Sequence, residues 1–388
     1  MKMKKFHIFM TYVTVAVLSS VLTLALNNQP AVSQPQSKLD QLEQILVEKF
    51  IGEKDRTAME DAAAHAMVAA LGDRWSYYIP ADEYSDYEDQ MNNSYVGIGI
   101  TIQVTEDESG FLVTKVTAGS PADQVGILPG DKLIAVEEHS LAGMDISDTG
   151  ALVKGEENTQ VNITVLRDGE EITFAVTRMR VNTPVATARM LKGRVGLITI
   201  ANFDSRCAQE TIAAIEQLLS EGADKLIFDV RFNPGGYAHE LVAVLDYILP
   251  EGDLFRTVNY LGQEDVDRSE EGCMTGIPMA VLVNGDSYSA AEFFAAALSE
   301  YGYAIVAGEP TTGKGYFQQT FKLNDGSAVG LSVGKYFTPK GKSLAEEGGI
   351  VPDVVVTVDT DTAMAIYAGT LDPSEDPQIQ AAIEALRQ

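Results

Sequence analysis

The chain has 388 residues, of which 45% are hydrophobic, and a formal net charge of −28. That length suits two or three domains, and that apolar content excludes a disordered protein. The acidic balance argues against a nucleic-acid partner, because a phosphate backbone calls for a basic face; it reads as solubilising charge.

Lys2, Lys4 and Lys5 precede an uncharged stretch from Phe6 to Leu26. The 19 residues from Ile8 to Leu26 would span about 28 Å as a helix, close to the thickness of a hydrocarbon core. A positive flank before the apolar run predicts a cytoplasmic start and an exported remainder. Residues 1–26 are therefore expected to be a single-pass signal anchor, holding the rest at the extracytoplasmic face of the cell membrane. The competing reading is a cleaved signal peptide and a secreted protein, but the apolar region is long and no convincing small-x-small site precedes Asn27. Residues 27–37 are polar with two prolines and read as a linker.

Leu39–Phe50 and Ala58–Leu71 carry apolar residues at helical spacing, such as Leu42, Ile45, Leu46 and Phe50, within a helical region assigned to 38–93. Asp73–Asp86 is aromatic and turn-rich and reads as the exit from these helices. From Ser94 to Arg180 the pattern is one of short β segments, with Asp168-Gly169 as a hairpin turn, over the length of a small domain.

Beyond Val181 strand and helix alternate, which predicts an α/β layer structure over 181–371, followed by a C-terminal helix within 372–388. The expected strands are Val195–Ile200, Leu226–Val230, Met279–Val283 and Ala304–Val306. The expected helices are Ala208–Leu219, Leu241–Leu249 and Ala290–Glu300. Two further β segments, Phe317–Leu323 and Ala328–Val333, flank Asn324-Asp325-Gly326. Cys207 and Cys273 are the only cysteines; no metal motif forms from them, and their pairing is left open.

Only four histidines occur, His7, His65, His139 and His239, and only the last falls in the α/β region. It reads as a residue at a helix start. A hydrolase built on this chain therefore favours another base, and a lysine can serve if burial lowers its pKa. Ser289 follows a strand ending at Val283 and opens a helix, so its hydroxyl stands beside helix N–H groups. Ser289-Ala290-Ala291-Glu292 is equally a helix capping box. Lys314 lies between Gly313 and Gly315, where backbone can pack closely, and Gln318 is placed to accept from its amine. The segment fails as a phosphate loop because Gly315 follows the lysine and Gly308 is at the wrong offset. Asn233-Pro234-Gly235-Gly236, just after another strand, forms a tight turn or aims backbone amides at a carbonyl oxygen.

Arg231–Gly236, Ser289–Glu292, Gly313–Gly315 and Gly349–Asp353 together resemble the C-terminal processing (tail-specific) peptidases, the S41 serine protease family, from about Leu39 to the C-terminus. The resemblance implies a multidomain α/β fold: an α/β (ClpP/crotonase-like) protease core, an inserted β-rich PDZ domain at 94–180 and an N-terminal helical segment. It implies a Ser289–Lys314 dyad, Gln318 orienting the lysine, and an oxyanion hole from backbone amides of Gly235 or Gly236 and of Ala290. No metal or organic cofactor is implied. The family commonly has a second serine where this chain has Ala291, and a small residue where it has Tyr288. Gly97-Ile98-Gly99-Ile100 is similar to the PDZ carboxylate-binding loop, which implies protein or peptide partners with exposed C-termini. A homo-oligomer is left open. The rival functions are a non-catalytic PDZ adaptor on the same fold and a crotonase-like acyl-CoA enzyme.

Overall fold

The computed structural model describes residues 37–387 apart from 106, 271–273 and 275. The apolar stretch at 8–26 and Cys273 lie outside the described residues. Among the described residues no helix is long and apolar enough to cross a membrane. The expectation of a single-pass anchor and of a place on the extracytoplasmic face is corrected on that finding: the structure gives it no support.

The chain divides into two units, Met1–Ala66 and Met67–Gln388. In the first, helix Lys38–Lys49 opens on a capping box, with the Asp40 amide donating to Ser37 Oγ (3.1 Å) and the Ser37 amide to Asp40 Oδ2 (2.9 Å). Arg56 pairs with Glu43 at 2.7 Å. This helix buries none of its residues.

The second unit is built around a six-stranded sheet in the order Ala186–Leu191, Val195–Ile200, Lys225–Asp229, Met279–Val283, Ala304–Gly308 and Val354–Val355. The first pair is antiparallel and the rest are parallel. Parallel strands covered on both faces should read as continuous apolar runs, and Met279–Val283 is buried at every position. Alternate side chains enter different cores, as the two-residue repeat of a strand requires. Ile198, Phe228, Val281 and Val283 pack with helices Cys207–Ser220, Ala238–Ile248 and Ala290–Glu300. Leu197, Ile227, Ala280 and Leu282 pack instead with Ile379, Ala382 and Leu386 around helix Pro377–Ala385. The result is a helix–sheet–helix sandwich.

The β-rich segment has its own core, centred on Ile98, Phe111, Leu133, Ile163 and Val176. Strand Ile100–Val104 pairs only with Phe111–Val116 and forms one edge of that sheet. Its entry and exit are clasped by an antiparallel pair, Ser94–Gly97 with Met179–Asn182. Arg206 fastens the clasp to the α/β layer, donating to Asp204 Oδ2 (2.7 Å) and to the carbonyls of Asn92 (3.2 Å) and Thr183 (3.0 Å).

Residues 73–86 are not merely a turn-rich exit. Tyr77–Ile79 forms a strand antiparallel to Ala328–Phe337, and Tyr84–Met91 is a helix. A three-residue strand shows no periodicity in sequence, and its partner lies some 250 residues away. A hairpin of Gly252–Asn259 and Glu264–Ser269, also absent from the sequence reading, joins the same second sheet.

Candidate active site

Three loops leave the carboxyl ends of three neighbouring parallel strands, where an open α/β sheet places its ligands. Asn233–Gly236 follows Lys225–Asp229, Ser289 follows Met279–Val283, and Lys314 follows Ala304–Gly308. The strand order alone therefore gathers the serine, the lysine and the glycine turn at one edge.

Hydrogen bonds then lock the first two loops together. Ser287 Oγ donates to the Val230 carbonyl (2.7 Å) and accepts from the Asn284 amide (3.0 Å). Asn284 Oδ1 accepts from the Phe232 amide (2.9 Å), and the Tyr288 amide donates to the Asn233 carbonyl (3.1 Å). Asn233 is fully buried; its Nδ2 donates to the Ile200 carbonyl and its Oδ1 accepts from the Gly235 amide, both at 2.8 Å. Gly235, at φ +92°, lies so near the serine that a Cβ there would fall 2.7 Å from Ser289 Cβ. Only glycine permits that approach without displacement. With the Gly235 amide engaged by Asn233, the amides of Gly236 and Ala290 donate to no acceptor among the described residues.

Ser289 itself has φ +58° and ψ −126°, a conformation costly for a residue with a side chain. Such strain at a strand-to-helix turn aims the hydroxyl away from the sheet, as in other nucleophile turns. Its side chain is 5% exposed.

Glu292 organises what lies around it. Wholly buried, it takes the Ser289 amide (3.0 Å) and the Lys314 amide (2.9 Å) on Oε2. Its Oε1 takes the Gly313 amide (2.7 Å) and the Thr311 hydroxyl (2.5 Å). Burial pushes the Glu292 carboxyl pKa up, and these four donors oppose that push. Because three of the donors are amides that cannot also accept, the arrangement suits the ionised form. Sequence reading saw Glu292 only as a capping partner of Ser289.

Lys314 is held by close backbone packing on both sides. A Cβ at Gly313 would lie 2.7 Å from the Gly349 amide nitrogen, and one at Gly315 would lie 2.7 Å from Ala345 Cβ. The Thr311 amide and the Ile350 carbonyl meet at 3.1 Å, so the late Gly349-Ile350 segment braces the lysine loop. Lys314 Nζ sits 4.8 Å from the Trp75 ring centroid and 5.6 Å from that of Tyr288. Burial lowers its pKa to about 8, against the opposing pull of Glu292 and Asp73. Gln318 Nε2 donates to the Tyr316 carbonyl (3.1 Å) and to Ser332 Oγ (3.0 Å), and its hydrogen bonds do not include Lys314. His239 is 72% exposed on the helix after the glycine turn, with Nε2 3.6 Å from Glu240 Oε1.

In the β-rich domain, Ile98 is buried in the core, and Gly99 takes φ +83° where a Cβ would fall 2.2 Å from Ser120 Cβ. The Ile98 carbonyl accepts from Ala122 and the Gly99 carbonyl from Thr117, both at 2.9 Å. Gly97 ends the clasp strand and Ile100 begins the edge strand, so the four residues form one turn at the sheet edge.

Comparison with known proteins agrees with this architecture. The profile of Peptidase family S41 matches residues 194–356, and a PDZ domain profile matches residues 112–167. The carboxy-terminal processing protease CtpA of Bacillus subtilis is 31% identical over 363 residues, spanning 90% of this chain and 77% of that protein. A carboxyl-terminal-processing protease of Synechocystis is 30% identical over 349 residues, spanning 88% and 80%. A structure described as an S41 protease from Bacteroides fragilis shares the fold at a TM-score of 0.52 and 15% identity, over 91% of this chain and 99% of that one. The chain belongs to peptidase family S41, as a C-terminal processing protease of the serine type that carries a PDZ domain.

Proposed function

We propose that Ser289 is the nucleophile and neutral Lys314 its general base in an endopeptidase acting on protein substrates with exposed C-termini. The observation that carries this reading is the shared anchoring of the Ser289 and Lys314 amides on Glu292 Oε2 (3.0 and 2.9 Å), beside a half-buried amine of lowered pKa. Lys314 Nζ takes the hydroxyl proton as Ser289 Oγ attacks the scissile carbonyl. The Gly236 and Ala290 amides receive the negative oxygen, while Gly235 supplies close approach rather than a donor. The C–N bond breaks as the lysine ammonium returns its proton to the leaving amine. Water then hydrolyses the ester, with Lys314 again acting as base. Gln318 shapes the lysine's surroundings through the strand Tyr316–Lys322 that carries it.

The turn Gly97–Ile100 and the edge strand Ile100–Val104 would receive the substrate's C-terminal residues as an added strand, with loop amides facing the carboxylate. Purified Ser289→Ala and Lys314→Ala proteins are expected to lose peptide hydrolysis with the fold intact, whereas Ser287→Ala, altered at a structural hydroxyl, keeps substantial turnover. Full turnover by Lys314→Ala would overturn the assignment.

A further inference from the structure

The segment Asp73–Ile79 reaches the lysine from a distant part of the sequence, and its conformation is fixed at every step. Asp73 Oδ1 accepts from the Trp75 amide (3.1 Å), and Asp73 Oδ2 accepts from Ser76 Oγ (2.6 Å). Ser76 Oγ accepts in turn from the Ser332 amide (3.1 Å), and Tyr77–Ile79 is zipped to Ala328–Gly330. This bracing presents one side chain, the Trp75 indole, over Lys314. Trp75 and Tyr288 stand 5.8 Å apart by ring centroid at 34°, and both rings lie within cation–π range of Nζ.

We propose that Trp75 is a positioning residue for Lys314: its indole, with Tyr288 beside it, caps the amine, keeps water from it, and so governs when it accepts the Ser289 proton. The proposal rests on the Ser–Lys reading above. Two effects of the cap oppose each other. An aromatic face attracts the ammonium form, while exclusion of water disfavours it. The charged groups facing the amine are Glu292 from the helix after Ser289, and Asp73 and Arg74 from the capping segment. Glu292 and Asp73 favour the ammonium and Arg74 opposes it; burial outweighs them and the amine is the weaker base for it. Arg74 also lies over the indole, 4.1 Å from its centroid. Removing the indole wets the amine, so the desolvation is lost and the proton is held more tightly.

Trp75 is the single tryptophan of the chain, so its emission reports on this cap alone. In full-length Ser289→Ala protein, titrated from pH 6 to 11, we expect an emission transition that is absent in the Ser289→Ala/Lys314→Met double variant. Separately, the acylation rate with a serine-directed covalent probe is measured against pH for wild type and Trp75→Ala. The alkaline-going limb is expected to move up by about one unit or more, so that acylation well below the limb falls roughly tenfold and recovers at high pH. The same criterion applies to Trp75→Gln, which keeps bulk but brings a polar group to the amine, so the question is decided even where Trp75→Ala does not fold. A limb that stays at the wild-type position in a folded variant, or an emission transition that persists without Lys314, overturns the proposal while the Ser–Lys reading stands. A wild-type profile without any lysine limb overturns both.

Discussion

The backbone amides of Ser289 and Lys314, 25 residues apart in sequence, converge on one carboxylate oxygen, Glu292 Oε2, at 3.0 and 2.9 Å. The spacing of the two groups thus depends on a third residue that bears neither the hydroxyl nor the amine. Since catalysis of this kind is sensitive to displacements of about 1 Å, the carboxylate is as much a part of the site as either partner.

Glu292→Gln tests that dependence. A glutamine amide nitrogen is a donor, and either orientation turns it toward an oxygen position where two donors now point. Each donor left unmatched in the interior costs about 1–3 kcal/mol. We expect a fall in kcat of at least about tenfold with little change in KM. Glu292 also raises the Lys314 pKa, so its neutralisation should move the residual acylation limb to lower pH. Steady-state kinetics across pH checks both; an unchanged kcat would refute the role.

Arg231 offers a test of stability apart from chemistry. Its guanidinium is 2% exposed, doubly paired with Asp229 (2.9 and 2.6 Å), and reaches Asp376 (2.9 Å) and Gln378 (2.8 Å) at the start of the final helix. Arg231→Ala leaves two buried carboxylates without their cation. We expect a loss of about 3–5 kcal/mol, read by denaturant unfolding, together with earlier proteolysis of residues 372–387. Removal of helix Pro377–Ala385 would uncover Ile227, Ala280 and Leu282.

Peptide capture is tested at Gly99. Gly99→Val places branched bulk against Ser120 and forces a positive φ on a residue that resists it. Binding of tail peptides should weaken. An amidated peptide should bind less well than its free-acid twin by about 1.5–3 kcal/mol, the range for a lost charge-assisted hydrogen bond. Calorimetry with the two peptides decides it: equal affinities would show that this domain does not read C-termini.

The core was legible in the sequence wherever a strand's apolar run was long enough to speak for itself. Met279–Val283 and Val195–Ile200 occur with the boundaries read from the sequence, and helix Ala290–Glu300 does too. Ser289 and Lys314 stood out because each sits at a punctuation point, a helix start or a glycine pair. Glu292 looked like an ordinary cap because its bonds to Gly313 and Lys314 span 21 and 22 residues, and no local pattern carries that. Trp75 was hidden for the same reason. Its strand is three residues long, and its function depends on pairing with Ala328–Gly330 at the far end of the chain. The reading of residues 8–26 as an anchor rested on hydropathy alone, and no described helix supports it.

The central claim is that Lys314 in its neutral form activates Ser289, and the pH dependence of probe labelling tests it most directly. Wild-type and Lys314→Met proteins are labelled with a serine-directed covalent probe from pH 5 to 10, and the modified residue is identified by peptide mass spectrometry. Because the ammonium cannot accept a proton, labelling should be slow at acid pH and rise as the amine is deprotonated, levelling above a midpoint near pH 8. The label should sit on Ser289, and Lys314→Met should label at least about 100-fold more slowly with no limb, within the range general-base catalysis supplies. Labelling of another residue, or an equal rate and profile in Lys314→Met, would contradict the account.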